Sequence, residues 1–234
     1  IINIMTIKKI IAIASAKGGV GKSSITAALA LNMSKSFKVG VLDADIYGPN
    51  QHILFDLIDA KPNLISVGDK KMFEPVMFNG ISINSMGFIL DANKAAVWRG
   101  PMLSGAIRQL IESTIWGELD FLFIDMPPGT GDAYLTIASE IKPDKSILVT
   151  TPNKLAVADL VKTISTLNKL DIPINGFVEN NIANFAAEGD YTNLENLGLP
   201  LITSIPFDES IYNFDLKKIP KGISELSSFI ASAV

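Results

Sequence analysis

The chain has 234 residues, of which 48% are hydrophobic and 19% charged, with a formal net charge of −4 and a pI near 5.1. This length and apolar content suffice for one buried core, and we expect residues 1–234 to form a single domain. The acidic balance argues against nucleic acid as the principal partner. No apolar run reaches the roughly 18 residues of a membrane-spanning helix, and no signal peptide is recognised, so we expect a cytoplasmic protein without a membrane partner.

The chain has no cysteine and one histidine, His52. Disulfides, thiolate zinc sites and iron–sulfur clusters held by its own thiolates are therefore excluded. A lone histidine is more often a helix or surface residue than a metal ligand, and this is the interpretation we favour for His52.

Short apolar, β-branched segments recur between helical patterns, as is typical of buried strands in a mostly parallel sheet. A stretch around Gly68 indicates a hairpin from Leu64 to Met77 inserted into this plan. We predict an α/β fold with about seven or eight strands, helices on both faces and this small insertion. The strands run from Ile10 to Ala14, Val39 to Leu42, Ile81 to Asn84, Phe121 to Ile124, Ile147 to Thr150, Ile174 to Val178 and Leu201 to Ile205, and one helical face consists of Val157, Leu160, Val161, Ile164 and Leu167.

A glycine-rich stretch follows the first strand and precedes an apolar helical stretch from Ile25 to Met33. In such a turn the backbone N–H groups converge on one point, where the helix dipole adds positive potential, and triphosphate is the natural ligand. Lys22 would reach the β- and γ-phosphates, and the Ser23 hydroxyl would ligate Mg²⁺. The predicted ATP-binding residues here are Gly18, Gly19, Val20, Gly21, Lys22, Ser23 and Ser24.

The loop departs from the usual pattern at its first glycine position, which Ala16 occupies. A side chain is tolerated there only if the backbone does not need a positive φ. We therefore predict a negative φ at Ala16.

Aspartates end two of the predicted strands: Asp43 and Asp45 follow the second, and Asp125 follows the fourth. Ligands of open α/β sheets bind beyond the carboxyl ends of the strands. Asp125 would hold Mg²⁺ mainly through water, because this ion keeps several of its waters. Either Asp43 or Asp45 could orient the water that attacks the γ-phosphate. The alternative is that these aspartates cap helices or turns.

Asp125 is followed by a segment with two prolines and two glycines, Met126-Pro127-Pro128-Gly129-Thr130-Gly131-Asp132. Prolines stiffen a chain and glycines free it, a combination suited to a segment with distinct states in the presence and absence of γ-phosphate. We favour such a nucleotide-sensing switch over a rigid turn.

These motifs together resemble the deviant Walker A ATPases, which include MinD, ParA, nitrogenase iron protein and the Mrp family. Their pattern x-Lys-Gly-Gly-x-Gly-Lys-Ser/Thr matches from Ala16 to Ser23. Within that group the chain most resembles the Mrp, ApbC-like iron–sulfur cluster carriers, over roughly residues 10 to 210. The segments that carry this resemblance are Leu42-Asp43-Ala44-Asp45-Ile46-Tyr47-Gly48-Pro49, Ser85-Met86-Gly87-Phe88, Val97-Trp98-Arg99-Gly100-Pro101-Met102 and the segment from Asp125 to Asp132.

The resemblance implies a P-loop ATPase of the MinD/ParA type that forms a homodimer around ATP and Mg²⁺. Lys17 of one subunit would reach the phosphates of the other, as an arginine finger does, which makes it a predicted catalytic residue beside Lys22 and Asp45. Asp45 would position the attacking water. Adenine would be held by positions that correspond to Asn180, Pro206 and Phe207.

One departure concerns the cluster site of the Mrp proteins, a Cys-x-x-Cys pair downstream of Asn180. An ungapped match puts Ala186 and Gly189 at the thiolate positions, and neither residue can ligate iron. The resemblance therefore implies an ATPase that acts in iron–sulfur cluster assembly or transfer with scaffold or client proteins, but without a cysteine cluster site of its own.

Two other functions remain open at this point. The first is a positioning or partition ATPase of the MinD or ParA kind, which would require a basic tail or surface. No lysine or arginine follows Lys221, and Ile223, Leu226 and Ile230 form a weak apolar face. The second is a scaffold that binds ATP but hardly hydrolyses it.

Overall fold

The computed structural model describes residues 6–89, 101–183, 190–215 and 219–232. Its main sheet has eight strands in the order β10-β9-β8-β1-β7-β2-β6-β5, and all neighbours are parallel except β5 and β6. The strands of the described residues are β1 Ile7–Ala14, β2 Val39–Asp43, β3 Asn63–Val67, β4 Lys70–Glu74, β5 Val76–Phe78, β6 Ile81–Ser85, β7 Leu119–Asp125, β8 Lys145–Thr150, β9 Ile174–Asn180 and β10 Leu201–Ile205.

The helices of the same residues cover both faces of the sheet, and several are only one turn long. They are α1 Lys22–Met33, α2 Gln51–Leu54, α3 Met86–Ile89, α4 Pro101–Glu112, α5 Asp132–Ile141, α6 Lys154–Lys169, α7 Thr192–Asn196, α8 Glu209–Tyr212 and α9 Lys221–Ser232.

Alternation along the central strand β1 divides the core into two layers. Ala12 and Ala14 pack in one cluster with residues of α4, α5 and α6, whereas Ile11 and Ile13 pack in the other with α1 and α9. Successive side chains of a strand point to opposite faces, so a strand covered on both sides reads as a continuous apolar run. The predicted α/β fold with helices on both faces is confirmed.

The C-terminal helix α9 belongs to this core. Its Ile223, Leu226 and Ile230 are at most 3% exposed, and Asn32 of α1 donates a hydrogen bond to Ser227 Oγ at 2.8 Å. The apolar face of α9 is therefore used in packing against the body of the protein. Among the helices of the described residues, none combines the length and the apolar character needed to cross a bilayer.

The sequence-based boundaries need three corrections. The predicted hairpin from Leu64 to Met77 ends at Glu74, because Met77 lies in β5, an antiparallel edge strand of the main sheet. Val161 was assigned to the buried face of α6 but is 40% exposed, whereas the other four residues of that predicted face are buried. Several strands, β1 among them, are also longer than their apolar segments.

Gly176 is required where β9 approaches the chain before β10. Its φ is +145°, and a Cβ at this position would lie 2.5 Å from the carbonyl oxygen of Pro200. That contact involves backbone, so a neighbouring side chain cannot relieve it by rotating.

We expect Gly176→Ala to lower the free energy of unfolding by about 2–4 kcal/mol, through backbone strain and overpacking. Gly105→Ala in α4 is the matched control, because no described atom lies within 4 Å of its added methyl group. It should raise stability by about 0.5–1 kcal/mol. Urea denaturation measures both, and equal effects at the two sites would contradict this account.

Candidate functional site

Parallel pairing places three polar side chains next to one another at the carboxyl edge of the sheet. Asp125 at the end of β7 is the register partner of Asp43 in β2, and Asp43 is the partner of Ser85 in β6. All three residues are completely buried. Strand register therefore explains why residues far apart in the sequence form one cluster.

The glycine-rich loop lies beside this cluster and begins α1. Gly19 and Gly21 have positive φ values of 79° and 84°, and Gly21 is the residue that caps the helix. Ala16 is not among the described residues with positive φ, as predicted. The loop borders an open cavity of about 340 Å³ lined by Ser15, Lys17, Gly18, Gly19, Gly21, Lys22, Ser23, Ser24, Asp45, Asn50, Ile53, Leu54 and Pro128.

Lys22 joins the loop to the acidic cluster. Its ammonium group forms a buried ion pair with Asp125 Oδ1 and lies 3.5 Å from Ser23 Oγ. A single cation thus contacts both side chains that were predicted to hold magnesium. A hydroxyl and a carboxylate are oxygen ligands of the kind that Mg²⁺ prefers, and the residues present fit this ion.

Asp43 anchors the chain that follows β2. Its Oδ2 accepts hydrogen bonds from the backbone N–H groups of Asn50 and Gln51 and from Ser85 Oγ, and its Oδ1 accepts one from Asp45 N. Burial, with the nearby charge of Asp125, raises the pKa of Asp43 to about 7, although these hydrogen bonds and Lys22 act in the opposite direction.

Asp45 and Asp43 therefore differ in what they can contact. Asp45 lines the cavity, whereas Asp43 lies beneath it and is fully buried. Burial is also the main cause that raises the pKa of Asp45, with a smaller opposing effect from Lys22. Of the two aspartates that the sequence left open, the geometry favours Asp45 for contact with a ligand.

A second cavity, of about 170 Å³, adjoins the other side of the loop. Asn180 and Phe207 line it together with Gly19, Gly21 and Ser24. The side-chain amide of Asn180 donates to the carbonyl oxygen of Val20 at 3.0 Å, so β9 supports the loop directly. Among the predicted adenine positions, Pro206 does not line this cavity.

Lys17 borders the cavity at the glycine-rich loop, and its side chain reaches α6. Its ammonium group lies 2.9 Å from Asp159 Oδ2, and Asp159 also pairs with Lys162 at 3.1 Å. Hydrogen bonds from Lys17 and then Lys162 lower the pKa of Asp159. The sequence did not single out Asp159, because an aspartate on a helical surface has no distinguishing pattern.

The segment after Asp125 makes backbone hydrogen bonds to the end of β1 and to the start of the glycine-rich loop. Gly129, with a φ of 84°, donates from its N–H to the carbonyl oxygen of Ser15 at 3.0 Å, and Met126 donates to Ile13 at 3.1 Å. Pro128 of this segment also lines the cavity at the loop, so a ligand bound there would lie beside the segment. That it switches between two states stays a prediction.

Three residues of the motif Ser85-Met86-Gly87-Phe88 make specific contacts in the structure. Ser85 holds Asp43, while Gly87 leaves room for His52, whose ring atoms would lie 2.2 Å from a Cβ at position 87. Phe88 packs edge-on against the same imidazole, with ring centroids 6.0 Å apart. His52 is thus a packing residue of α2, in agreement with the sequence interpretation.

Some residues singled out from the sequence lie outside the described residues, namely Trp98, Arg99, Gly100, Ala186 and Gly189.

Comparison with known proteins identifies the family of this fold and loop. Residues 6–220 match the family model described as ParA, NUBPL iron-transfer P-loop NTPase. The chain belongs to this family. Its relatives in the NUBPL/ParA family include an iron–sulfur cluster carrier protein of Aquifex aeolicus, which is 39% identical over a 241-residue alignment covering 97% of this chain and 65% of the relative. The carrier of Pseudomonas fragi is 47% identical over 175 residues, or 74% of this chain and 60% of the relative. The chain thus spans only part of the length of these carriers, 60% of the Pseudomonas fragi protein and 65% of the Aquifex aeolicus protein.

Solved structures agree with this family assignment. A nucleotide-binding protein from Archaeoglobus fulgidus in complex with ADP is 35% identical and superposes with a TM-score of 0.75, covering 96% of this chain and 88% of that one. The MinD protein of Pyrococcus horikoshii, complexed with Mg-ADP, has a TM-score of 0.72 over 95% of each chain. At 23% identity, the likeness to MinD is one of fold alone.

The single histidine provides a direct test of the packing of α2. Burial, and then the charge of Lys61, lower the pKa of His52 below its ordinary value of about 6.5. As pH falls below about 6.5, the unfolded chain takes up this proton before the folded chain does. The contribution of His52 to the free energy of unfolding is therefore complete above that pH and declines below it.

NMR titration of the only imidazole should give a midpoint below the ordinary value. Urea denaturation at pH 7.5 and 5.5 should give a larger loss of stability for the native chain than for His52→Asn. A midpoint at or above the ordinary pKa would contradict the observed packing.

Proposed function

We propose that this chain is a Mg²⁺-dependent ATPase that acts as a homodimer in iron–sulfur cluster assembly or transfer. The observation that carries the proposal is the arrangement of Lys22, Ser23 and Asp125 beside an open cavity at a glycine-rich loop. The family assignment and the ADP-bound relative from Archaeoglobus fulgidus support the same nucleotide class.

The first step would be an exchange of partners at Lys22. In the structure its ammonium group is paired with Asp125. Phosphate oxygens entering the loop compete for this ammonium, because they carry a larger charge and meet the backbone N–H groups at the start of α1. Asp125 and Ser23 would then be available to Mg²⁺, which neutralises charge on the phosphates when it is bound.

Hydrolysis would depend on Asp45, which borders the cavity. Burial raises the pKa of Asp45, which is the direction that favours a carboxylate as a general base for water. Asp43 would act indirectly, by holding the backbone that carries Asp45.

Lys17 would complete the site of a second subunit. In the single chain it is paired with Asp159 and about 42% exposed, and its side chain does not contact the acidic cluster. A trans-acting lysine needs such a surface position, from which it can reach a partner. The homodimer proposal therefore requires Lys17 to leave Asp159.

The link to iron–sulfur clusters comes from the relatives. Those of Pseudomonas fragi and Aquifex aeolicus are described as iron–sulfur cluster carrier proteins, and an Arabidopsis thaliana relative, 38% identical over 97% of this chain, as an iron–sulfur protein required for NADH dehydrogenase. Because this chain has no cysteine, the thiolates would have to come from a scaffold or client protein. A positioning ATPase has no comparable support, since the likeness to MinD is limited to fold.

A mixing experiment tests hydrolysis and the trans role of Lys17 together. Lys17→Ala and Asp45→Ala should each hydrolyse ATP at least about 100-fold more slowly than the native chain. In an equimolar mixture, half of the dimers combine the two variants, and each has one intact site. The mixture should therefore recover about a quarter of native activity.

Lys22→Ala is the matched control, because it removes a group that acts within its own subunit. Mixed with Asp45→Ala, it should restore nothing. Phosphate release measured over a range of protein concentrations provides the readout. A native chain without Mg²⁺-dependent ATPase activity would refute the enzyme proposal, and failure of the first mixture would refute the trans role.

The cluster part of the proposal has its own test. After anaerobic incubation with iron and sulfide and removal of excess reagents, the isolated chain should retain no cluster absorbance, because it has no cysteine thiolates. A cysteine-containing relative, treated identically, serves as the positive control. Stable cluster absorbance in this chain would contradict the prediction.

A further inference from the structure

Gln51 makes two hydrogen bonds that connect α2 to the proposed metal site. It is the first residue of α2 and is completely buried. Its Nε2 donates to Asp125 Oδ2 at 2.8 Å and to the backbone carbonyl oxygen of Ser23 at 3.1 Å. Both partners are acceptors only, so the orientation of the amide is fixed by its neighbours.

These bonds divide the two oxygens of Asp125 between different partners. Oδ2 receives the amide of Gln51, and Oδ1 faces the ammonium group of Lys22. If Lys22 moves to the phosphates, the bond to Gln51 still holds the carboxylate in the same rotamer. Oδ1 then remains directed at the position that the ammonium group had filled.

The helix itself does not need this side chain for its attachment. The backbone N–H groups of Asn50 and Gln51 already bind Asp43 Oδ2, each at 3.0 Å. The amide oxygen of Gln51 is buried and has no hydrogen-bond partner among the described residues. Burying an acceptor in this way is unfavourable, and an apolar side chain of similar size would avoid it. Packing alone therefore does not account for glutamine at this position.

We propose that Gln51 is a positioning residue for Mg²⁺, which orients the Asp125 carboxylate and fixes the backbone of Ser23. This inference rests on the proposed Mg²⁺-ATP function. It assigns to α2 an indirect part in metal binding, through the Asp125 carboxylate and the Ser23 backbone.

The test separates metal affinity from nucleotide affinity. Gln51→Met keeps the length of the side chain and removes both donors. Binding of a fluorescent ATP analogue is measured in EDTA and then during titration with Mg²⁺. We expect affinity in EDTA to change less than about twofold, while the Mg²⁺ concentration for half-saturation rises about tenfold, as for loss of a hydrogen bond to a charged group.

His52→Asn is the matched control, because His52 is the next residue of α2 and packs against Gly87 and Phe88, away from Asp125. Its Mg²⁺ half-saturation should equal that of the native chain. A purely structural role of Gln51 would weaken binding equally in EDTA and in Mg²⁺, and this result would overturn the inference. An unchanged half-saturation in Gln51→Met would also overturn it.

A second measurement uses the native side chain and does not depend on a stable variant. The chain has two glutamines, Gln51 and Gln109. With ¹⁵N-labelled glutamine side chains, Gln109→Ala assigns the two amide signals by elimination. In the nucleotide-bound protein, Mg²⁺ should shift the Gln51 signal and leave that of the exposed Gln109 unchanged. No shift of Gln51, in a native chain that does bind nucleotide more tightly with Mg²⁺, would overturn the inference. A native chain without any Mg²⁺-dependent binding would instead refute the proposed function.

Discussion

The buried ion pair between Lys22 and Asp125 is the interaction on which the arrangement of the site depends. Two carboxylates, Asp43 and Asp125, are neighbours in register beneath the glycine-rich loop, and neither is exposed to water. Removing one member of a buried pair typically costs about 3–5 kcal/mol, because the other is left uncompensated. We therefore expect Lys22 to stabilise this edge of the sheet, in addition to its proposed role in phosphate binding. The same ion pair connects the glycine-rich loop to the end of β7.

Around this pair, hydrogen bonds connect segments that are distant in sequence. Asp43 attaches the chain after β2 to Ser85 at the end of β6, and Gln51 attaches α2 to Asp125. The side chain of Asn180 in β9 donates a hydrogen bond to Val20 of the glycine-rich loop. If Lys22 changed its partner, the contacts of the glycine-rich loop, of α2 and of the segment after Asp125 would therefore change as well. Under the proposed function, these contacts would transmit a change at Lys22 to the surrounding segments.

The sequence predicted most of the fold, because buried parallel strands leave apolar, β-branched segments that can be recognised without an alignment. It also singled out Lys22, Ser23, Asp45 and Asp125, which the structure brings to one edge of the sheet, and their roles in binding and hydrolysis stay predictions. Asp159 and Gln51 could not be found in this way. Their roles come from tertiary contacts with Lys17 and Asp125, and no local pattern marks a polar residue that will meet a partner 70 or 140 positions away. The short edge strand β5 was missed because three residues beside a hairpin carry little periodicity.

The contact between His52 and Gly87 limits which pairs of residues can occupy these two positions. A methyl group on residue 87 would overlap the imidazole, so the two positions share one small volume between α2 and α3. The tolerance of either position to substitution then depends on the residue at the other, and the effects of paired changes are not additive. Homologues with a larger residue at position 87 should carry a smaller one at position 52. This pair of sites is therefore expected to covary, which makes it a geometric constraint visible in sequence comparisons.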